Sequence, residues 1–198
     1  FLTSLYVVFT ALILAGWYGR LQSAPLLGGA LLATFGAGWI QGPPQLHFNW
    51  PEWLTVISAL LFAGHIIATD IVTRRVSPIG VTFTSIVLAA LASLVLLNLQ
   101  LIVQPIAVAG LLRDPDFLVP LLLSAFFGTF IALLLVNLCQ KLLDPVRAAI
   151  LYALEPVWAT LLAITYGLAT VNTWLLLGGG ALLLGNLIAE LAPQRDSE

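Results

Sequence analysis

The sequence has very little charge. Of its 198 residues, 7 are Lys or Arg and 9 are Asp or Glu, so 8% of the chain is charged and 61% is hydrophobic. A soluble domain carries about 25% charged residues, so this chain cannot cover a water-facing surface. The formal net charge of −2 and the lack of any basic stretch longer than Arg74-Arg75 exclude a nucleic-acid partner. These absences leave a polytopic membrane protein whose main partner is the lipid bilayer.

Sulfur-containing residues and catalytic motifs are also scarce. The single Cys139 excludes a disulfide framework and a cysteine-ligated zinc site, and no other metal or cofactor is expected. The chain has no Gly-x-Ser-x-Gly, His-Glu-x-x-His, paired intramembrane Asp or phosphate loop, and His47 falls in a predicted outer loop. We therefore expect neither an enzyme nor an ATP-driven machine. Because the chain contains no Met and starts at Phe1 without a signal-peptide pattern, we expect it to be the C-terminal part of a longer protein.

Long uncharged runs separate the few charges. A membrane-spanning helix needs about 20 mostly apolar residues, and these runs lack the alternating polarity of barrel strands. Gly, Pro and polar breaks divide them into seven predicted spans. The spans are Leu2–Trp17, Leu26–Ile40, Trp53–Ile71, Pro78–Leu99, Phe117–Leu138, Val146–Tyr166 and Thr173–Leu191.

The basic residues orient these spans. Alternate connections contain Arg20, Arg74, Arg75, Lys141, Arg147 and Arg195 on one side, and only Arg113 on the other. Basic residues stay on the cytoplasmic side, which places the C-terminus inside and Phe1 outside. Trp residues lie at the predicted span edges, as in an interfacial belt, except for Trp158.

The two ends of the chain resemble each other. Leu5-Tyr6 precedes a second helix with Gly29 and Gly36, and Leu151-Tyr152 precedes a helix with Gly178 and Gly185. Both glycine pairs are seven residues apart, so each pair lies on one face of its helix and permits close helix packing. Generic membrane-helix packing is the alternative to a repeat. The first and sixth spans run in opposite senses, which predicts inverted five-helix repeats of the kind found in secondary transporters.

Several stretches resemble one known family. They are Gly128-Thr129 through Gln140-Lys141, Arg147-Ala148-Ala149, Leu154-Glu155-Pro156-Val157-Trp158-Ala159, and the helix from Gly178 to Gly185. In order and spacing they resemble the EamA-type transporters of the drug/metabolite transporter superfamily, which have ten helices in two inverted repeats. The resemblance implies the last two helices of a truncated first repeat over residues 1–41 and a linker over 42–52. A complete second repeat over 53–191 and a cytoplasmic tail over 192–198 follow.

Glu155 is the sharpest candidate for chemistry. It lies in the middle of a span, where a carboxylate costs roughly 2.5–3.5 kcal/mol and usually faces a cavity or a partner. Pro156 removes a backbone N–H and is expected to kink the helix. Glu155 is either part of a proton or substrate site on this kinked helix, or a protonated side chain that stabilises the kink.

Two alternative roles are open for each of the other polar and aromatic residues in the spans. His65 either takes part in substrate binding or a proton relay, or bonds to a neighbouring helix backbone. Tyr152, Glu155 and Trp158 are spaced to share one helix face, and either line a cavity for an amphipathic or aromatic solute or belong to the core. Thr129, Asn137 and Gln140 either bind a solute or join helices.

Asp70, Arg74 and Arg75 form a cluster at a predicted inner edge. Their expected role is to set the topology, and a cytoplasmic gate latch is the alternative.

These features predict a secondary transporter in the inner membrane. By resemblance it moves small metabolites, amino acids or drug-like amphiphiles, in the export direction, by alternating access. The alternative is a membrane fragment or relic that does not transport without the missing helices, or that requires a second copy in a homodimer.

Overall fold

The computed structural model describes residues 2–19, 22–40, 42–43, 49–103 and 108–192. Several residues used in the predictions lie outside these ranges: Phe1, Arg20, His47 and residues 193–198 of the tail, which include Arg195.

The described residues form helices and turns, with no strand in those ranges. The α-helices are α1 (Leu5–Tyr18), α2 (Ala24–Trp39), α3 (Trp50–Thr73), α4 (Pro78–Val103), α5 (Val108–Leu111), α6 (Pro115–Leu123), α7 (Ala132–Cys139), α8 (Pro145–Tyr152), α9 (Glu155–Thr165) and α10 (Thr173–Leu191). A π-helical segment, Ser124–Ile131, joins α6 to α7, and a 3-10 turn, Gln140–Leu142, follows α7. The prediction of an all-α membrane protein is confirmed.

Five helical segments of the described chain are long and apolar enough to cross a membrane. They are Trp50–Thr73, Pro78–Leu99, Pro115–Leu142, Pro145–Thr165 and Thr173–Leu191. Each corresponds to one of the predicted spans. The first two predicted spans contain the shorter apolar helices α1 and α2, of 14 and 16 residues. At 1.5 Å per residue these helices are about 21 and 24 Å long, shorter than the hydrocarbon core of about 30 Å.

Polar side chains define the ends of several helices. Asp144 accepts a hydrogen bond from the backbone N–H of Val146 at the start of α8, at 2.9 Å. Asn172 accepts one from Leu175 at the start of α10, at 2.8 Å. These bonds satisfy N–H groups that have no partner within the first turn of a helix.

The described chain divides into two compact units. Unit 1 consists of Phe1–Ala68 and Leu143–Glu198, and unit 2 of Thr69–Leu142. These boundaries differ from those of the predicted repeats, which remain a prediction. The core of unit 1 is formed by small and aliphatic side chains from α1, α2, α3, α8 and α10, including Val7, Ala33, Ile66 and Ile150.

Helices α2 and α10 make the closest backbone contact in unit 1. A Cβ atom added to Gly29 would lie 2.6 Å from the carbonyl oxygen of Gly185, and one added to Gly36 would lie 2.5 Å from that of Gly178. Because the order of contacts reverses between the two helices, they run antiparallel. The predicted repeat aligns Gly29 with Gly178 and Gly36 with Gly185. If each glycine is replaced by its aligned counterpart, the Gly29–Gly185 contact becomes the Gly178–Gly36 contact. This exchange is compatible with the predicted inverted repeat, which stays a prediction.

A buried arginine joins two helices at one end of unit 1. Arg147, which is 5% exposed, donates from Nη2 to the carbonyl oxygen of Ala192, immediately after α10. A positive charge is favourable there because carbonyl groups without helical partners concentrate at a helix C-terminus. The guanidinium group of Arg147 is therefore engaged in joining α8 to the end of α10.

Unit 2 has a polar contact between two of its helices. Asn137 on α7 donates from Nδ2 to the hydroxyl of Thr82 on α4, at 2.8 Å, and both side chains are buried. The same hydroxyl donates to the carbonyl of Pro78, also at 2.8 Å. Most large apolar side chains of the segment Pro115–Leu142 are exposed, as expected for a surface that lies against lipid rather than water.

Candidate functional site

Glu155 occupies a break in a membrane-spanning segment. The segment Pro145–Thr165 contains two helices, because α8 ends at Tyr152 and α9 begins at Glu155. The N–H of Leu154 bonds to the carbonyl of Leu151 at 3.0 Å, a three-residue turn rather than a helical bond. Pro156 cannot donate a backbone hydrogen bond, and it lies in the first turn of α9, where a proline is tolerated.

Glu155 is the first residue of α9 and is exposed. A negative charge in the first turn of a helix is stabilised by N–H groups that lack helical partners. Glu155 also lies at the middle of its membrane-spanning segment. The break therefore places a carboxyl group at mid-span and at the end of a helix where a negative charge would be stabilised.

Two tyrosines of unit 1 pack near the break that contains Glu155. The carboxylate of Glu155 and the hydroxyl of Tyr152 are both within electrostatic range of the hydroxyl of Tyr6 on α1. Tyr6 and Tyr152 are half-buried and pack against the same apolar core. The fold of unit 1 thus brings together the start of α1 and the break between α8 and α9.

Two aromatic side chains of α3 extend the group of rings that begins with Tyr6. The ring of Phe62 stands perpendicular to that of Tyr6, with centroids 4.9 Å apart. The imidazole of His65 stacks with Phe62 at 6.1 Å, with an angle of 21° between the planes. We refer to Tyr6, Phe62, His65, Tyr152 and Glu155 as the Glu155 cluster. It comprises one carboxyl group, three aromatic rings and an imidazole, all within unit 1.

Three members of this cluster were predicted from the sequence, whereas Tyr6 and Phe62 were not. Tyr6 has a signal in the sequence, because the predicted repeat aligns Leu5-Tyr6 with Leu151-Tyr152. Phe62 has a weaker signal, since it lies three residues before His65 and so shares a face of α3 with it.

Two predicted residues, Trp158 and Thr129, are exposed. Trp158 lies on α9, three residues after Glu155, and is 62% exposed. Thr129 is exposed in the π-helical segment of unit 2.

Two amides of unit 2 are buried. Asn137 joins α7 to α4 through Thr82, as in the second of its two predicted readings. Gln140 lies in the 3-10 turn after α7 and is 2% exposed. These amides belong to the packing of unit 2, and the described contacts assign them no ligand.

The predicted inner-edge cluster lies where α3 ends. Arg74 forms an ion pair with Asp70 at 2.8 Å, and its Nε also donates to Asp70 at 2.9 Å. Arg75 is exposed in the turn that follows α3. This arrangement fixes one basic side chain at the end of a membrane-spanning helix.

Metal binding has no support in the described part of the chain, where no three His, Cys, Asp or Glu side chains are grouped as potential ligands. The Glu155 cluster offers instead a carboxylate, an imidazole, phenol hydroxyls and ring faces, which can contact an organic solute or exchange a proton.

Comparison with known proteins identifies the family. No curated protein and no solved structure matches the chain. The model of the EamA-like transporter family matches residues 49–190, more than half of the chain. The matched region contains four of the five segments long enough to cross a bilayer and all but the last residue of the fifth, together with His65, Tyr152 and Glu155. This chain belongs to the EamA-like transporter family.

Proposed function

We propose that this protein is a secondary transporter that moves small metabolites or amphiphilic solutes across the inner membrane by alternating access. The direction that the resemblance implies is export. The proposal assigns no enzymatic reaction to the protein.

The observation that carries the proposal is the position of Glu155. A carboxylate at the middle of a span is costly and commonly marks a substrate or ion pathway. Transporters often bind substrate near the bilayer midplane at interrupted helices, where helix ends supply charge and polar backbone groups. Glu155 combines these features, because it begins α9 at the break in the segment Pro145–Thr165.

The other members of the Glu155 cluster have defined roles in this proposal. The hydroxyls of Tyr6 and Tyr152 contact the polar part of the solute, and the ring of Phe62 packs on its apolar part. His65 contributes an imidazole that can accept or donate a hydrogen bond. Because these groups come from α1, α3 and the α8–α9 break, relative motion of these helices would assemble or disperse the site.

Two further parts of the proposal concern packing and orientation. The glycines of the α2–α10 contact keep this helix pair tightly packed while other elements move. The ion pair of Asp70 with Arg74, together with Arg75, holds the end of α3 at the cytoplasmic surface and acts as a gate latch, with the C-terminus on the same side.

Flux measurements test the proposal. The full chain is reconstituted in proteoliposomes, and uptake of a panel of amino acids and aromatic amphiphiles is followed by mass spectrometry. We expect saturable uptake of at least one solute, and a loss of about tenfold or more in Glu155→Gln, because hydrogen bonds to charged groups contribute about 1.5–3 kcal/mol. Everted vesicles give the direction.

A matched control is Glu190→Gln, because Glu190 is an exposed carboxylate in the last turn of α10. We expect this variant to transport as the unaltered protein does. Absence of saturable uptake for every solute by folded protein, or equal uptake by the unaltered protein and Glu155→Gln, would contradict the proposal.

A further inference from the structure

We propose that one end of unit 2 binds an anionic phospholipid. This end comprises the turn after α3, the start of α4 and the 3-10 turn after α7, and we refer to it as the basic end. The phosphate group of the lipid contacts Arg75 and Lys141, and an acyl chain packs along exposed apolar side chains of α4 and α7. The site lies within unit 2 and does not depend on the Glu155 cluster or on the proposed transport.

The charges of unit 2 differ in sign between its two ends. At the basic end positive charge is in excess by two, because one acid accompanies three basic residues: Asp70, Arg74, Arg75 and Lys141. At the opposite end negative charge is in excess by one, from Arg113, Asp114 and Asp116. Both ends adjoin membrane-spanning segments and so lie near the level of the lipid headgroups. Only the basic end complements a phosphate group.

Two of the basic side chains are available to a lipid. Arg74 is engaged, because it forms an ion pair with Asp70 at 2.8 Å. Arg75 and Lys141 are exposed, and neither side chain bonds to an acceptor among the described residues. Asp144, the acid closest to Lys141 along the chain, caps the start of α8. The excess positive charge is therefore carried by Arg75 and Lys141.

The contact between α4 and α7 brings these two side chains to the same level. Asn137 on α7 donates to Thr82 on α4 at 2.8 Å. One turn beyond Asn137 lies Lys141, and one turn before Thr82 lies Pro78. Because consecutive spans cross the membrane in opposite directions, Lys141 and Pro78 are level. Arg75 lies in the turn that leads directly into Pro78.

An apolar surface adjoins this positive charge. Successive residues of an α-helix are rotated by about 100°, so Ile79 and Phe83 lie about 60° and 100° from the threonine of the α4–α7 contact in one sense of rotation. Leu138 lies about 100° from the asparagine of that contact in the same sense. In an antiparallel pair, the same sense of rotation away from the contact leads to the same flank. Ile79, Phe83 and Leu138 are all exposed and therefore form one apolar surface.

A phospholipid matches this combination better than a free anion does. Exposed charges attract a small anion weakly, because water and salt screen the interaction. A lipid whose acyl chain packs on the surface of α4 and α7 holds its phosphate at the level of the two basic side chains. This tethering raises the effective concentration of the phosphate at the basic end.

A footprint of the basic end tests the proposal on the unaltered protein. Lys141 is the single lysine of the chain, so its acetylation reports on this end directly. The full chain in a non-ionic detergent is treated with an amine-reactive reagent, and the rate at Lys141 is followed by peptide mass spectrometry. We expect phosphatidylglycerol to slow the reaction about threefold or more. Phosphatidylcholine, which is zwitterionic, and glycerol phosphate, which has no acyl chain, should leave the rate unchanged.

Native mass spectrometry in the same detergent gives the affinity for each lipid. Lys141→Gln should weaken the binding of phosphatidylglycerol about fivefold, which is the contribution expected of one basic residue near a membrane surface. Arg75→Gln should have a similar effect, and Arg75→Lys, which keeps the charge, should restore most of the loss. The binding of phosphatidylcholine should not change in these variants.

The matched control is Arg113→Gln, because it also removes one exposed positive charge, at the opposite end of unit 2. It should bind phosphatidylglycerol as the unaltered protein does. In Arg75→Gln, phosphatidylglycerol should protect Lys141 from acetylation less than in the unaltered protein, since the two side chains contact one phosphate.

Four results would overturn the proposal. The first is an equal effect of phosphatidylglycerol and phosphatidylcholine on the acetylation of Lys141, and the second is an equal loss of affinity in Lys141→Gln and Arg113→Gln. Protection by glycerol phosphate as strong as that by phosphatidylglycerol would indicate a site for free phosphate esters. Protection that rises with protein concentration and needs no phosphatidylglycerol would assign the surface to a second copy of the chain. The footprint decides the question even if a variant does not fold.

Discussion

Asn137 and Glu155 are polar residues in membrane-spanning segments with opposite surroundings. Asn137 is 1% exposed and donates to Thr82 at 2.8 Å. Its Oδ1 atom is also buried and accepts no hydrogen bond within the described residues. Glu155 is exposed and begins a helix. The surroundings of Asn137 favour its helix-packing interpretation, and the exposure of Glu155 is compatible with the solute contact proposed for it.

A double-mutant cycle tests the packing role of Asn137. Thr82→Val removes the acceptor of the amide, and we expect it to lower the free energy of unfolding in detergent by about 1 kcal/mol. Asn137→Leu should have a similar effect. The double variant should lose less than the sum, with a coupling of about 0.6 kcal/mol, as is typical of hydrogen bonds between membrane helices.

The control for this cycle is Thr84→Val, because Thr84 is an exposed threonine on the same helix. It should change the unfolding free energy little and show no coupling to Asn137→Leu. Strict additivity of Thr82→Val and Asn137→Leu would show that the hydrogen bond does not contribute to stability.

At the residue scale, the sequence identified Asn137 and Glu155 as unusual but left two readings for each. The spacing of residues along one helix cannot decide between the two roles of Asn137, because its hydrogen-bond partner lies 55 residues away along the chain. The same limit explains why Phe62 was missed, since its contact with Tyr6 joins α3 to α1.

At the element scale, the contact between α2 and α10 depends on glycine at selected positions. The backbones are so close at Gly36 that an added Cβ atom would meet the backbone of both Gly178 and Leu182. Gly28, one residue before Gly29, has no atom within 4 Å of the equivalent position. The glycines of α2 therefore differ in whether the position has room for a larger side chain.

Alanine substitutions test this difference. Gly36→Ala should destabilise the protein by about 1–3 kcal/mol, because the added methyl group can be accommodated only if the two helices separate. Gly28→Ala is the matched control and should leave stability unchanged or slightly raised, since alanine favours the helix. Thermal unfolding in detergent, followed by loss of the monodisperse peak in size-exclusion chromatography, measures both. Equal melting temperatures for the two variants would contradict the role assigned to the contact.

The sequence predicted the glycine faces but not what they contact. Two small residues seven positions apart indicate that some helix approaches that face. The structure shows that the two faces contact each other, in the antiparallel order described above. Pro156 likewise signalled a disturbed helix, and the structure ends α8 at Tyr152 and starts α9 at Glu155.

At the scale of the whole molecule, the distribution of basic residues predicts how the chain is oriented in the membrane. The turn after α3 contains Arg74 and Arg75, whereas the loop between α9 and α10, residues 167–172, contains no charge. Since basic residues remain on the cytoplasmic side, these two connections should lie on opposite sides of the membrane.

Cysteine labelling tests this orientation. Cys139→Ser removes the single cysteine of the chain. Into that background Val76→Cys and Leu168→Cys are introduced separately, at connecting residues that are 52% and 82% exposed. A membrane-impermeant maleimide should label Val76→Cys only in everted vesicles and Leu168→Cys only in right-side-out vesicles. The Cys139→Ser protein should not react, and labelling of both sites from one side would overturn the predicted topology.

The sequence by itself determined the class of protein, its apolar segments, its predicted orientation and the likeness of its two ends. These properties follow from composition and from local runs of residues, and they need no knowledge of which segments meet. Only the tertiary structure shows that Tyr6 contacts Phe62, that Asn137 bonds to Thr82, and that the two glycine faces contact each other. These contacts join segments distant along the chain, and nearly uniform apolar helices carry too little pattern to specify which of their faces will meet.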